Sequence, residues 1–161
     1  MRFIEALHSN GPAGDRVDKM GLYGWLVGGW TIDATVLAED GSPHQVQGSI
    51  HAGWVLQGRA IQDVWSLPGC FHGTTLRVYD PDLDAWHIQW SDPLKQYFCR
   101  QIGRASGRDI VQEGRNDAGE ATRWQFTDIT PDSFCWTAER SLDDGATWAF
   151  QKRYLARRRA G

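Results

Sequence analysis

From Trp30 to the C-terminal arginines, apolar and polar residues alternate, and this period of two constrains the fold more than any other feature of the chain. Trp30, Ile32, Ala34 and Val36 share one face, opposite Thr31, Asp33 and Thr35. Val46, Gly48, Ile50, Ala52 and Trp54 repeat the pattern, as do Leu76 with Val78, and Trp86 with Ile88 and Trp90. Trp124 with Phe126, Phe134 with Trp136, and Trp148 with Phe150 carry it onward. Successive side chains of a strand point to opposite faces, so alternation of this kind predicts half-buried strands with one apolar face each.

Turn chemistry separates the runs. Asp40-Gly41, Asp80-Pro81-Asp82, Asp92-Pro93, Ser106-Gly107, Asp117-Ala118-Gly119, Thr130-Pro131-Asp132 and Asp144-Gly145 stand between them. Loops this short join antiparallel neighbours, because parallel strands need crossovers of about a dozen residues or more. The count is about ten strands between Trp30 and Ala156, and an open sheet of that length would leave two unprotected edges. The expectation is an all-β, up-and-down antiparallel barrel. Nine tryptophans, six phenylalanines and four tyrosines supply an interior of large rings.

Ahead of the strands, Val17, Met20, Leu22, Tyr23, Leu26 and Val27 suggest a short helix over 15–27, halted by Gly28-Gly29. Residues 1–14, with Gly11-Pro12-Ala13-Gly14, read as a flexible N-terminal arm, and 15–161 as one barrel domain. Net charge is −3 with both signs dispersed, which gives no electrostatic reason to expect nucleic acid or an anionic membrane as partner. Arg157-Arg158-Arg159 reads as a solvated tail. Met1 to Val17 lacks the apolar stretch of a secretory signal, and no segment reaches the ~20 apolar residues of a membrane span. Cys70, Cys99 and Cys135 are too few and too scattered for a disulfide framework or a thiolate metal site, so a reducing cytoplasm is expected.

Gly28-Gly29-Trp30 at the start of the first strand, just after a short helix, resembles the G-x-W signature of lipocalins. The longer pattern extends the likeness: Trp54-Val55-Leu56-Gln57-Gly58-Arg59 running into a strand, then Leu76-Arg77-Val78-Tyr79-Asp80 followed by an aromatic strand through Trp90. Together these resemble the bacterial lipocalin-like proteins grouped as the domain of unknown function 1579 (DUF1579), over about residues 20 to 156. The resemblance implies a calycin barrel and no particular activity. It also implies an arginine from the last strand packed over Trp30, for which Arg153 and Arg157 are both candidates. Haem-holding barrels of the nitrobindin type use a late histidine, whereas the last histidine here is His87. Ser141-Leu142-Asp143-Asp144-Gly145-Ala146-Thr147-Trp148 resembles the Asp-box hairpin. It is read as a tight turn in which Asp143 accepts bonds from loop amides and Trp148 anchors the hairpin.

Candidate chemistry is sparse. By strand parity His51 and His87 point outward, no histidine pair has ligand spacing, and neither metal nor cofactor is expected. Cys99 and Cys135 sit among aromatics with no histidine nearby and read as packing residues. Asp63 alternates with Ile61 and Trp65, which leaves two readings. Either it enters the interior and needs Arg59 or Arg100 as a partner, or Gln62 faces inward and Asp63 is solvated. Tyr97, Cys99 and Gln101 share one face, and Gln112 shares another with Ile110. The expected ligand-lining set is Trp54, Arg59, Asp63, Trp65, Trp86, Trp90, Tyr97, Arg100, Trp124 and Trp136. The function expected from it is non-catalytic binding of a small hydrophobic or aromatic molecule, by a monomer or homodimer. Two rivals stand beside that reading. One is a cofactor-independent isomerase, cyclase or hydrolase using Asp63 or Glu113 as acid–base group. The other is an interaction module with a solid core.

Overall fold

Side chains at the turns close the hairpins that the alternation demands. Asp40 Oδ1 accepts from the Ser42 amide at 2.9 Å, Asp80 Oδ1 from Asp82 at 2.9 Å, Asp92 Oδ1 from Leu94 at 2.8 Å and Thr130 Oγ1 from Ser133 at 3.0 Å. In the computed structural model, which describes residues 1–160 apart from the Leu37 side chain, these turns connect ten strands. They are β1 (Gly28–Leu37), β2 (Pro43–Val55), β3 (Ala60–Leu67), β4 (Phe71–Asp80), β5 (Ala85–Asp92), β6 (Tyr97–Ser106), β7 (Asp109–Asn116), β8 (Ala121–Thr127), β9 (Ser133–Ser141) and β10 (Ala149–Arg158). Each pairs antiparallel with its sequence neighbour, and β1 pairs with β10 to close the barrel. The predicted all-β, ten-stranded architecture is the one observed.

Two helices precede the strands: α1 (Phe3–Leu7) and α2 (Val17–Gly24). α2 plugs one end of the barrel, burying Met20 and Tyr23, with Leu26 buried just after it. Residues 1–14, expected as an arm, carry α1 and run along the β2–β3 connection. His8 bridges to Val55, the Ser9 amide donates to Trp54 O at 2.9 Å, and the Ala13 amide donates to Gly58 O at 2.9 Å.

Trp30 is fully buried at the plugged end and donates through Nε1 to Leu26 O at 2.8 Å. The arginine over its ring is Arg158, 4.1 Å from the centroid, and not Arg153 or Arg157. Arg158 is paired with Trp30 in the β1–β10 register and also donates to the carbonyls of Trp25, Val27 and Pro131. Arg157 points to the outside, where it meets Asp33 at 2.7 Å, and Arg153 Nε lies 3.2 Å from Cys135 Sγ.

Two faces are reversed from the expectation. On β4 the buried positions are Gly73, Thr75, Arg77 and Tyr79, so Leu76 and Val78 look outward. At the start of β10 a bulge shifts the register between Phe150 and Lys152. The extra residue turns Phe150, paired with Glu139, to the outside, where it is 64% exposed. Trp148 is likewise outside the barrel, under the Arg123 guanidinium at 4.2 Å. In the hairpin between β9 and β10, Asp143 accepts from the Thr147 hydroxyl, from Ser141 Oγ at 2.7 Å and from the Thr147 amide at 2.8 Å. These bonds hold its carboxyl at about 2, below the ordinary carboxylate value.

Candidate functional site

The barrel is filled at one end and hollow at the other. Around α2 the rings interlock edge to face: Trp30 with Phe134 at 4.9 Å, Tyr23 with Trp86 at 5.0 Å, and Trp25 with Phe134 at 5.2 Å. Gly103 on β6 admits the Tyr23 hydroxyl, which occupies the space a Cβ would need. Toward the opposite rim, beneath the β3–β4, β5–β6 and β9–β10 loops, lies a half-open cavity of about 300 Å³. That volume is at the small end of the range for small-molecule pockets.

A buried polar network forms the cavity's base. Asp63 on β3 is paired with Thr75 and lies diagonal to Arg77 on β4, the Asp63 and Arg77 side chains being 0% and 3% exposed. Arg77 Nε and Nη2 donate to Asp63 Oδ2 at 3.1 and 3.0 Å, while the Thr75 amide donates to Oδ1 at 3.1 Å. Arg77 Nη1 continues to Gln112 Oε1 at 2.6 Å, which also accepts from the Tyr23 hydroxyl at 2.7 Å. Gln112 then donates to Gln101, Gln101 to Thr122 Oγ1, and Cys99 Sγ lies 3.2 Å from the same hydroxyl. The guanidinium is also held over the Tyr23 and Phe126 rings, at 4.9 and 5.3 Å. Burial drives the Tyr23 phenol upward and pushes the Cys99 thiol up to about 11, which leaves Cys99 a poor nucleophile.

Above this base the walls are aromatic. Trp65 and Trp136 meet at 5.6 Å, Trp124 and Trp136 at 5.5 Å, and Trp136 stacks on Tyr154 at 5.2 Å with an interplanar angle of 12°. Phe71 meets Trp90 at 6.0 Å. Tyr97, on the rim side, has its phenol pushed up to about 12 by burial. Lys95 and Lys152 also line the cavity. Lys152 remains accessible to solvent, yet its ammonium lies 5.8 Å from the Phe71 ring, and burial lowers its pKa.

Of the residues singled out from the sequence, Trp65, Trp90, Tyr97, Trp124 and Trp136 converge on this cavity. Asp63 is inside but is engaged by Arg77 and Thr75 below it. Trp86 is 1% exposed and packs at the filled end, and Trp54 lies against α2 at Gly24. Arg59 and Arg100 do not reach Asp63: Arg59 pairs with Asp15 at 3.2 Å, and Arg100 is on the outer surface. Arg77 takes the role expected of them, and its only signal was its odd-numbered phase with Thr75 and Tyr79. Lys152 and Tyr154 were also missed, although they share the even-numbered phase expected to face inward; the bulge turns Phe150 out of that phase and leaves these two within it. Glu113 is exposed on the outer face. His51 is exposed, and His87 pairs on the outside with Asp80 at 2.8 Å. Among the described residues no group of three or more His, Cys, Asp or Glu side chains is placed to hold a metal ion, and no helix is long and apolar enough to cross a membrane.

No family model matches the chain, and no curated protein matches it. Among solved structures the barrel is similar to an S-type phycobiliprotein lyase from Guillardia theta. The two share 13% identity at a TM-score of 0.59, over 93% of this chain and 99% of that one. At that identity the likeness is one of fold alone: a closed, ten-stranded antiparallel β-barrel of lipocalin-like architecture.

Proposed function

We propose that this protein binds a small, largely apolar or aromatic molecule in the open half of its barrel, as a lipocalin-like protein of the DUF1579 kind. The observation that carries the reading is the pairing of one aromatic-filled end of the barrel with a half-open cavity of about 300 Å³ walled by indole rings at the other. Indoles present flat, polarisable surfaces at little entropic cost, so an inserted ring exchanges water for stacking contacts. A solid interaction module has no use for such a volume.

The acid–base alternative has less support. Asp63 already accepts from Arg77 and Thr75, and Glu113 is on the wrong side of the sheet. The fold neighbour is a lyase, but a shared barrel does not transfer a reaction. The three free cysteines fit a reducing compartment.

The test is a titration with 2-naphthoate and decanoate, following tryptophan fluorescence and thermal unfolding together. A bound ligand quenches the cavity indoles saturably and stabilises the fold by about 2.7 kcal/mol at one hundred times its Kd. A flat fluorescence trace and an unmoved Tm for both classes would contradict the proposal.

A further inference from the structure

Two cations stand at the mouth of the cavity and, since the cavity is the ligand site proposed above, they restrict what the ligand carries.

Toward the rim stand the ammonium groups of Lys95 and Lys152, neither of which has an ion-pair partner among the described residues. The carboxylate in that neighbourhood is Asp92, whose Oδ1 accepts from the Leu94 and Lys95 amides at 2.8 and 3.2 Å. Lys152 is paired with Ala138 and in phase with the buried Tyr154 and Ala156, which turns it to the inner face, while the bulge before it turns Phe150 out. A cation on the inner face of an aromatic cavity, without an ion-pair partner, favours an anion.

We infer that the cavity takes a flat aromatic acid, inserted ring first, with its anionic group at Lys95 and Lys152. The ring system lies among Trp65, Trp90, Trp124, Trp136 and Tyr154. Neutral aromatics of the same shape bind through the walls alone.

The experiment compares two probes on the full chain: 2-naphthoate and its methyl ester. Dissociation constants are measured by tryptophan quenching at neutral pH and low salt. The acid is expected to bind about ten-fold tighter than its ester, since a charge-assisted contact replaces a neutral one. Lys152→Met removes most of that preference without weakening the ester, and Lys95→Gln reduces it independently. Circular dichroism melts confirm that each variant is folded. Equal affinity for acid and ester, or a preference unchanged in both lysine variants, overturns the anion inference and leaves binding in the cavity standing. No binding by either naphthalene overturns the cavity reading itself.

Discussion

Replacing Arg77 by methionine is expected to destabilise the barrel by about 3–5 kcal/mol, read as a lower urea midpoint. The loss comes less from the attraction removed than from the charge left behind. Asp63 is fully buried, and without the guanidinium its carboxylate keeps only the Thr75 amide as a donor. Gln112 is less affected, because its oxygen still accepts from the Tyr23 hydroxyl at 2.7 Å. Adding Asp63→Asn to the same variant should recover more than half of the loss. The asparagine keeps an oxygen for the Thr75 amide and carries no charge, and a buried ion pair replaced as a unit is often close to neutral. A single substitution costing under about 1 kcal/mol would mean that water reaches the pair and that the cavity has no such base.

Gly114→Ala is expected to cost about 3 kcal/mol through the backbone alone, at the upper end of the range for overpacking. Gly114 on β7 faces Gln101 on β6. An added Cβ would meet the Arg100 carbonyl oxygen head on and stand 2.6 Å from Gln101 Cα and 2.7 Å from Arg100 C. All three are main-chain atoms of a neighbouring strand, so no rotamer change relieves the contact. Here the barrel bends tightly enough that only hydrogen fits between two strands. Gly53→Ala on β2 is the control: nothing lies within 4 Å of its Cβ, and the substitution is expected to be neutral or to add about 0.5 kcal/mol. If both substitutions behave alike in urea melts, the close approach of β6 and β7 is wrong.

The two predictions concern features of very different visibility in the sequence. The barrel was legible because alternation and turn chemistry are local: Trp86, Ile88 and Trp90 mark an inward face wherever the strand sits. Arg77 was not legible for the same reason. Between Leu76 and Val78 it reads as a solvent-facing charge, and only the partner across the sheet, Asp63, makes its inward direction favourable. Asp63 was recognised as an interior candidate from its phase with Trp65, while its partner depends on a register that one strand does not reveal. A bulge has the same character. Phe150 and Lys152 stand two apart and by period should share a face, yet one extra residue in β10 sends them to opposite sides. Arg158 was missed as the residue over Trp30, although it is in phase with the buried Tyr154 and Ala156. The aromatic wall was thus written in composition and period, and the polar base beneath it in tertiary pairing.

The central claim is that one half of this barrel is core and the other half is a binding cavity, and the indole N–H resonances of the nine tryptophans distinguish the two directly. In a titration of ¹⁵N-labelled protein with 2-naphthoate, the signals of Trp65, Trp90, Trp124 and Trp136 should shift together along one saturation curve. Those of Trp30 and Trp86, sealed beside α2, should stay in place. Shifts confined to Trp54 and Trp148, or spread evenly over all nine, would put the ligand on the surface and contradict the account.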